Sequence, residues 1–158
     1  MKELKLKDLR WLLFAIVFVG CNDVAKERND GSLENNLETK VFSLDNTKTI
    51  EETFGDVTLF TSGEASTYGT KNVTTGVLTI LPNSEAHTAH KHVEEEYLFI
   101  VEGSGTWSLN GKEFPAKKGD LLYAAPWDMH GIFNSDTVDL VFYVLKWNNK
   151  GMPLPKED

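Results

Sequence analysis

The chain has 158 residues, 41% of them apolar and 11% aromatic, which is enough for one domain with a proper core and too apolar for a disordered chain. Its formal charge of -8 argues against nucleic acid as a partner, because phosphates need a basic face. A local basic pocket inside such an acidic molecule still admits an acidic small ligand.

Residues 1–20 read as a secretory signal peptide. Lys2, Lys5, Lys7 and Arg10 form a positive front, Trp11 to Val19 is an unbroken apolar run, and Gly20-Cys21 ends it. The run is far shorter than the roughly 20 residues that cross a bilayer. Phe18-Val19-Gly20-Cys21 resembles a bacterial lipobox, with Phe18 where Leu is usual. That resemblance implies a lipidated Cys21 as the new N-terminus, a membrane-anchored lipoprotein and a place in the cell envelope. Cys21 is the one cysteine, so no disulfide forms within the molecule, and a thioether removes a thiol that an oxidising compartment would attack. The alternatives are an uncleaved apolar anchor and a signal cut elsewhere. Loss of the signal removes four cations and two anions and moves the charge from -8 to -10.

Residues 21–40, rich in Asn, Asp, Glu and Lys, read as a flexible tether. From Val41 short runs of Val, Ile, Leu, Phe, Tyr and Thr alternate with turn residues. Strands are expected at Val57–Thr61, Asn72–Leu81, Tyr97–Val101, Gly105–Leu109, Leu121–Ala124, Gly131–Asn134 and Val138–Trp147. Asn110-Gly111 predicts a hairpin turn, since both residues accept positive φ. No long 3.6-residue apolar period follows residue 40. The domain, 41–150, is therefore all-β: a sandwich, a jelly roll or a small barrel. Residues 151–158 read as a polar tail, loose or wrapped on an edge.

All four histidines, His87, His90, His92 and His130, fall in one stretch. Side chains at i and i+2 of a strand share a face, so His90 and His92 both point inward while Lys91 faces away. Glu96 would lie roughly 20 Å from His90 on one straight strand. The chain must therefore turn across Val93-Glu94-Glu95 and bring Glu96 back on the neighbouring antiparallel strand. His130 comes from a third segment, delivered by the strand after Gly119-Asp120. Imidazole and carboxylate together suit Fe, Mn, Ni, Cu or Zn, and burying them inside a barrel without an ion is costly. Three neutral imidazoles and one carboxylate leave a divalent ion with one net positive charge. Taken singly, each group has a plainer reading. His-x-His is common, Glu94 and Glu95 suit a solvated turn, and His87 suits an exposed rim. Trp107, Trp127 and Trp147 suit a core or a dimer contact, and Asn134 suits a turn cap. Glu95 is also placed to hydrogen-bond a ligand histidine from behind.

This region resembles the cupin family, whose first motif reads G-x5-H-x-H-x3,4-E-x6-G. His90, His92, Glu96 and Gly103 stand at its positions, with Ser84 for the opening Gly. In the second motif, G-x5-P-x-G-x2-H-x3-N, Gly119, His130 and Asn134 match, the Pro is shifted to Pro126, and Trp127 replaces the Gly. The resemblance covers roughly residues 70–147. It implies a cupin jelly-roll β-barrel with His90, His92, Glu96 and His130 as ligands of a divalent transition metal. It further implies Leu98 and Ile100 lining the interior, and a homodimer built by sheet packing. The implied function is that of a metal-binding cupin acting on a small oxygenated molecule, a sugar derivative or small acid, as a metal-dependent dioxygenase or an isomerase or lyase. A non-catalytic lipid-tethered module that binds carbohydrate or another small molecule is the alternative.

Overall fold

The computed structural model describes residues 36–157. The signal peptide, Cys21 and most of the expected tether lie outside the described residues. Nine strands follow in order: β1 (Thr49–Glu52), β2 (Gly55–Thr61), β3 (Thr70–Ile80), β4 (Glu95–Glu102), β5 (Ser104–Leu109), β6 (Lys112–Lys117), β7 (Leu121–Ala124), β8 (His130–Phe133) and β9 (Leu140–Asn149). Among the described residues the one helical element is a 3-10 turn at Leu44–Asn46. A six-stranded sheet runs β1-β2-β3-β9-β4-β7 and a three-stranded sheet runs β6-β5-β8, with every strand pair antiparallel.

Alternation along the strands builds the core. Leu98 and Ile100 of β4, and Leu140, Phe142 and Val144 of β9, turn inward with Ile80. Trp107, Ala116 and Ile132 of the small sheet meet them. The inward placement of Leu98 and Ile100 agrees with their parity to Glu96. The Asn110-Gly111 hairpin joins β5 to β6, with φ of 49° and 76° at the two residues. Gly103, at φ 75°, sits where a Cβ would stand 2.2 Å from the carbonyl oxygen of Asp139, so the close crossing of these segments requires glycine.

Two strands escape the sequence pattern. β1 reads Thr-Ile-Glu-Glu, is exposed throughout, and pairs only at the sheet's edge. β6 contains Pro115 and buries only Ala116, again on an edge, where proline is tolerated. Residues 36 and 37, the end of the expected tether, hydrogen-bond to the loop at Ser66. The Leu37 N–H donates to the Ser66 carbonyl at 2.7 Å, and the Ser66 hydroxyl donates to Asn36 Oδ1 at 2.9 Å.

Candidate metal centre

The four candidate ligands come from three places, as the spacing requires, though the first is not a strand. His90 makes a single bridge with His130, and residues 91 and 92 are irregular. The expectation of a regular strand carrying His90 and His92 is corrected here. The segment instead runs beside β8 and exchanges two backbone hydrogen bonds, His90 N–H to His130 O at 2.9 Å and His130 N–H to His90 O at 2.8 Å. This approach depends on Gly131, where a Cβ would come within 3.0 Å of Ala89 Cα. The turn across 93–94 then returns the chain into β4, with Glu96 as its second residue. His130 opens β8 and is reached through β7 and the loop 125–129, one strand later than the sequence suggests.

The three imidazoles form a nearly equilateral triangle. Ring centroids are 5.2 Å apart for His90 and His92, and 4.9 Å for each pair that includes His130. One ligand nitrogen from each lies within 4.8 Å of the others, and an ion about 2.1 Å from each nitrogen would draw the three closer together. Glu96 is buried and reaches two of the rings, with Oε2 3.2 Å from His92 Nε2 and Oε1 3.5 Å from His130 Nε2. The second approach is an ion-pair distance, too long and too poorly aligned for an ordered hydrogen bond.

The donor set fits a metal for a reason visible in the hydrogen bonds. His92 Nδ1 lies 3.0 Å from the Glu94 carbonyl and His130 Nδ1 lies 2.8 Å from the Asp128 carbonyl. A carbonyl only accepts, so each Nδ1 carries the proton and each Nε2 presents a lone pair. Those lone pairs face a carboxylate. His130 Nε2 and His90 Nδ1 are buried without any hydrogen-bond partner. Acceptors converging on acceptors repel one another until a cation or a proton stands between them.

The ionisation states follow. Burial pushes the His90 imidazolium down to about 4, helped by His87, His130 and His92, so this ring is neutral at pH 7. Burial alone would raise Glu96, but the adjoining His130 and His92 rings, when protonated, outweigh it and hold the carboxyl at about 2. Burial opposes charge on His130 too, yet Glu96 and the Asp128 carbonyl raise its value.

Other predicted residues fall as follows. His87 is exposed at the rim, with its ring 4.2 Å edge-on from that of His90. The partner behind His92 is Glu94 and not Glu95. Glu95 has the opposite parity to Glu96 and pairs with Trp147 on the outer face. Asn134 is fully buried and positions backbone, not His130. Its Nδ2 donates to Ile80 O and Val138 O, both at 2.8 Å, and its Oδ1 accepts from Asp136 N–H at 3.0 Å. Trp107 is core, with its ring 5.6 Å from that of His130, while Trp147 stacks on Tyr97 at 5.6 Å outside. Trp127 takes φ 68°, the left-handed backbone that a glycine at this motif position adopts freely. Its N–H donates to His92 O at 2.8 Å and its Nε1 donates to Pro155 O at 2.9 Å.

The centre opens into a cavity of about 170 Å³ whose walls include Leu78, Leu98, Trp107, Ile132, Phe142 and Val144. Thr74 and Lys146 line it as well. Lys146 is the residue that sequence reasoning missed. Its signal lay in the alternation of β9, which sends Leu140, Phe142, Val144 and Lys146 to one face.

Residues 76–146 match the cupin domain family, Cupin_2. An uncharacterized protein of Methanocaldococcus jannaschii is 39% identical over 62 residues, covering 39% of this chain and 50% of that protein. The oxalate-binding protein of Thermotoga maritima is 36% identical over 63 residues, covering 39% of this chain and 52% of that protein. The chain thus spans about half the length of these relatives. Among solved structures, a predicted oxalate decarboxylase from Thermotoga maritima superposes with a TM-score of 0.56 at 26% identity, over 68% of this chain and 98% of that one. A Klebsiella pneumoniae protein with a double-stranded β-helix domain gives 0.55 at 19% identity, over 76% of this chain and all (100%) of that one, a likeness of fold. Residues 76–146 thus resemble a cupin domain, and these solved neighbours share the fold of this all-β barrel.

Proposed function

We propose that His90, His92, Glu96 and His130 hold one divalent transition-metal ion, and that this metal-binding cupin acts on a small oxygenated molecule, a sugar derivative or small acid. The observation that carries the reading is the pair of buried, unpartnered imidazole nitrogens, with a carboxylate 3.2 Å from His92 Nε2 and 3.5 Å from His130 Nε2. A bound ion would supply Lewis acidity to a ligand oxygen. The chain's own residues do the rest. The Glu94 and Asp128 carbonyls fix the tautomers of His92 and His130. Glu96 stays ionised, and the apolar walls of the cavity exclude water from the ligand's far side. A second reading, binding without turnover, draws support from the oxalate-binding relative.

The test incubates protein purified without added metal with small acids and sugar derivatives, with metal content measured on the same sample. Product formed in proportion to metal content supports an enzyme. Saturable binding without product supports the second reading, and metal-free protein that binds none of these ligands contradicts both. Lipidation at Cys21 is proposed as the means of holding this domain at a membrane, with the lipobox-like Phe18-Val19-Gly20-Cys21 as its support.

A further inference from the structure

The inner face of the large sheet is graded from polar to apolar. At the level of the candidate metal centre, cross-strand pairing aligns Thr74 on β3, Lys146 on β9, Glu96 on β4 and Ala124 on β7. Directly opposed residues project to the same face, and Thr74, Lys146 and Glu96 all line the cavity. The next row inward is Gly76, Val144, Leu98 and Leu122, and the one after it is Leu78, Phe142 and Ile100. Polar side chains from this sheet thus meet the cavity in a single row.

Lys146 is the one lysine or arginine on the cavity wall, and it is half-buried. None of the ion pairs among the described residues includes it, although Glu96 is its direct cross-strand neighbour. The Glu96 carboxylate is turned instead to His92 and His130. Lys146 therefore lines the cavity without an ion-pair partner among the described residues. In a chain of net charge -8, one such cation is a selective feature of the cavity and not part of a general basic surface.

We infer that Lys146 binds the anionic end of the ligand, and that the ligand is a small carboxylate bearing a neighbouring oxygen. The carboxylate pairs with the Lys146 ammonium, and the neighbouring oxygen faces the histidine cluster. This assignment rests on the proposed metal-binding reading and selects, within it, acids over neutral sugars. Charge decides between them. A divalent ion with three neutral imidazoles and Glu96 leaves one positive charge, and Lys146 adds another, which a neutral ligand leaves uncompensated. Size sets a separate bound and points to a small ligand, since the cavity of about 170 Å³ lies below the roughly 300–1,000 Å³ of pockets for drug-sized ligands.

The experiment titrates the full chain by calorimetry with glycolate, pyruvate and oxalate, with ethylene glycol as a neutral control and glucose 6-phosphate as a larger anion. Metal content and melting temperature are read on every sample. The expected result is binding of at least one of the three acids, at least tenfold tighter than ethylene glycol. Lys146→Gln should weaken it at least tenfold with metal content and melting unchanged, and Lys146→Arg should retain it within severalfold. Lys146→Met, which keeps the apolar stem, replaces the Gln variant if that variant melts early. Equal acid binding by the neutral variants overturns the inference. So does tighter binding of glucose 6-phosphate, or a wild-type protein that binds none of the three acids. A wild type without metal defeats the metal reading alone. In that case Lys146-dependent acid binding still supports the inference, and its absence overturns it.

Discussion

At the scale of single residues, the site is organised by which nitrogen carries the proton. Backbone carbonyls of Glu94 and Asp128 take the Nδ1 protons of His92 and His130 and leave the opposite nitrogens bare toward Glu96. His90, with its value near 4 against the usual 6.5, binds fewer protons folded than unfolded between those pH values. Metal-free protein should therefore lose stability as pH falls from about 6.5 to 4, and His90→Gln should flatten that part of the curve. Glu96, near 2 against 4.5, adds a further loss below about 4.5. His130 works the other way, since its raised value gives stability that disappears as pH rises through it. Urea midpoints measured in chelator across pH 4–8 check the slopes; an unchanged slope in His90→Gln would count against a buried neutral His90. The gathering of His90, His92 and His130 was legible because histidine is rare in a barrel interior and these three stood at telling intervals. Lys146 was not, because a lysine in an alternating strand looks like any exposed one until the register places it opposite Glu96.

At the scale of elements, the least regular segment carries two of the four candidate ligands. Residues 90–92 are held by the His130 bridge, by Trp127 N–H on the His92 carbonyl, and by an ion pair between Lys91 and Glu157 in the tail. Trp127 holds a left-handed backbone at a cost of about 1–2 kcal/mol, offset in part by its indole bond to Pro155. Deleting residues 152–158 should therefore weaken metal binding severalfold, read by chelator competition, while circular dichroism keeps its β signature. Unchanged affinity would show that the tail does not brace the site. Gly103→Ala should destabilise by more than about 1 kcal/mol in urea, because the new Cβ meets the Asp139 carbonyl and the residue must keep φ 75°. The strands that the sequence revealed are those with one buried face. β1 and β6 escaped because edge strands in contact with solvent need no apolar alternation. The His90-x-His92 pair misled for a related reason, since i, i+2 spacing fits an irregular extended segment as well as a strand.

At the scale of the whole molecule, the large sheet has an outer face too apolar for water alone. Tyr97, Tyr123 and Leu145 form one row across three strands, and Phe99, Leu121 and Tyr143 form the next. Phe99, Leu121, Tyr123 and Leu145 are exposed. Such a patch is typical of an interaction surface, and a second copy of the chain is the expected partner. Sedimentation should give a dimer, and Leu121→Glu should give a monomer with unaltered metal content; a monomeric wild type would sink this expectation. The expected lipid on Cys21 is checked separately, since Cys21→Ser should move the protein from the membrane to the soluble fraction, and an unaltered distribution would contradict lipidation. The all-β class was readable from the short strand runs and the barrel from the cupin resemblance, because closing a barrel around a polar cluster constrains many residues at once. The choice of ligand was not, because it turns on a single charge whose position only cross-strand pairing defines.

The most direct test of the account is metal content per chain, by elemental analysis of protein purified without added metal. The wild type should hold about one transition-metal ion per chain, and His92→Ala at least tenfold less with its melting temperature near that of metal-free wild type. Equal metal content in the two proteins would contradict a centre built from His90, His92, Glu96 and His130.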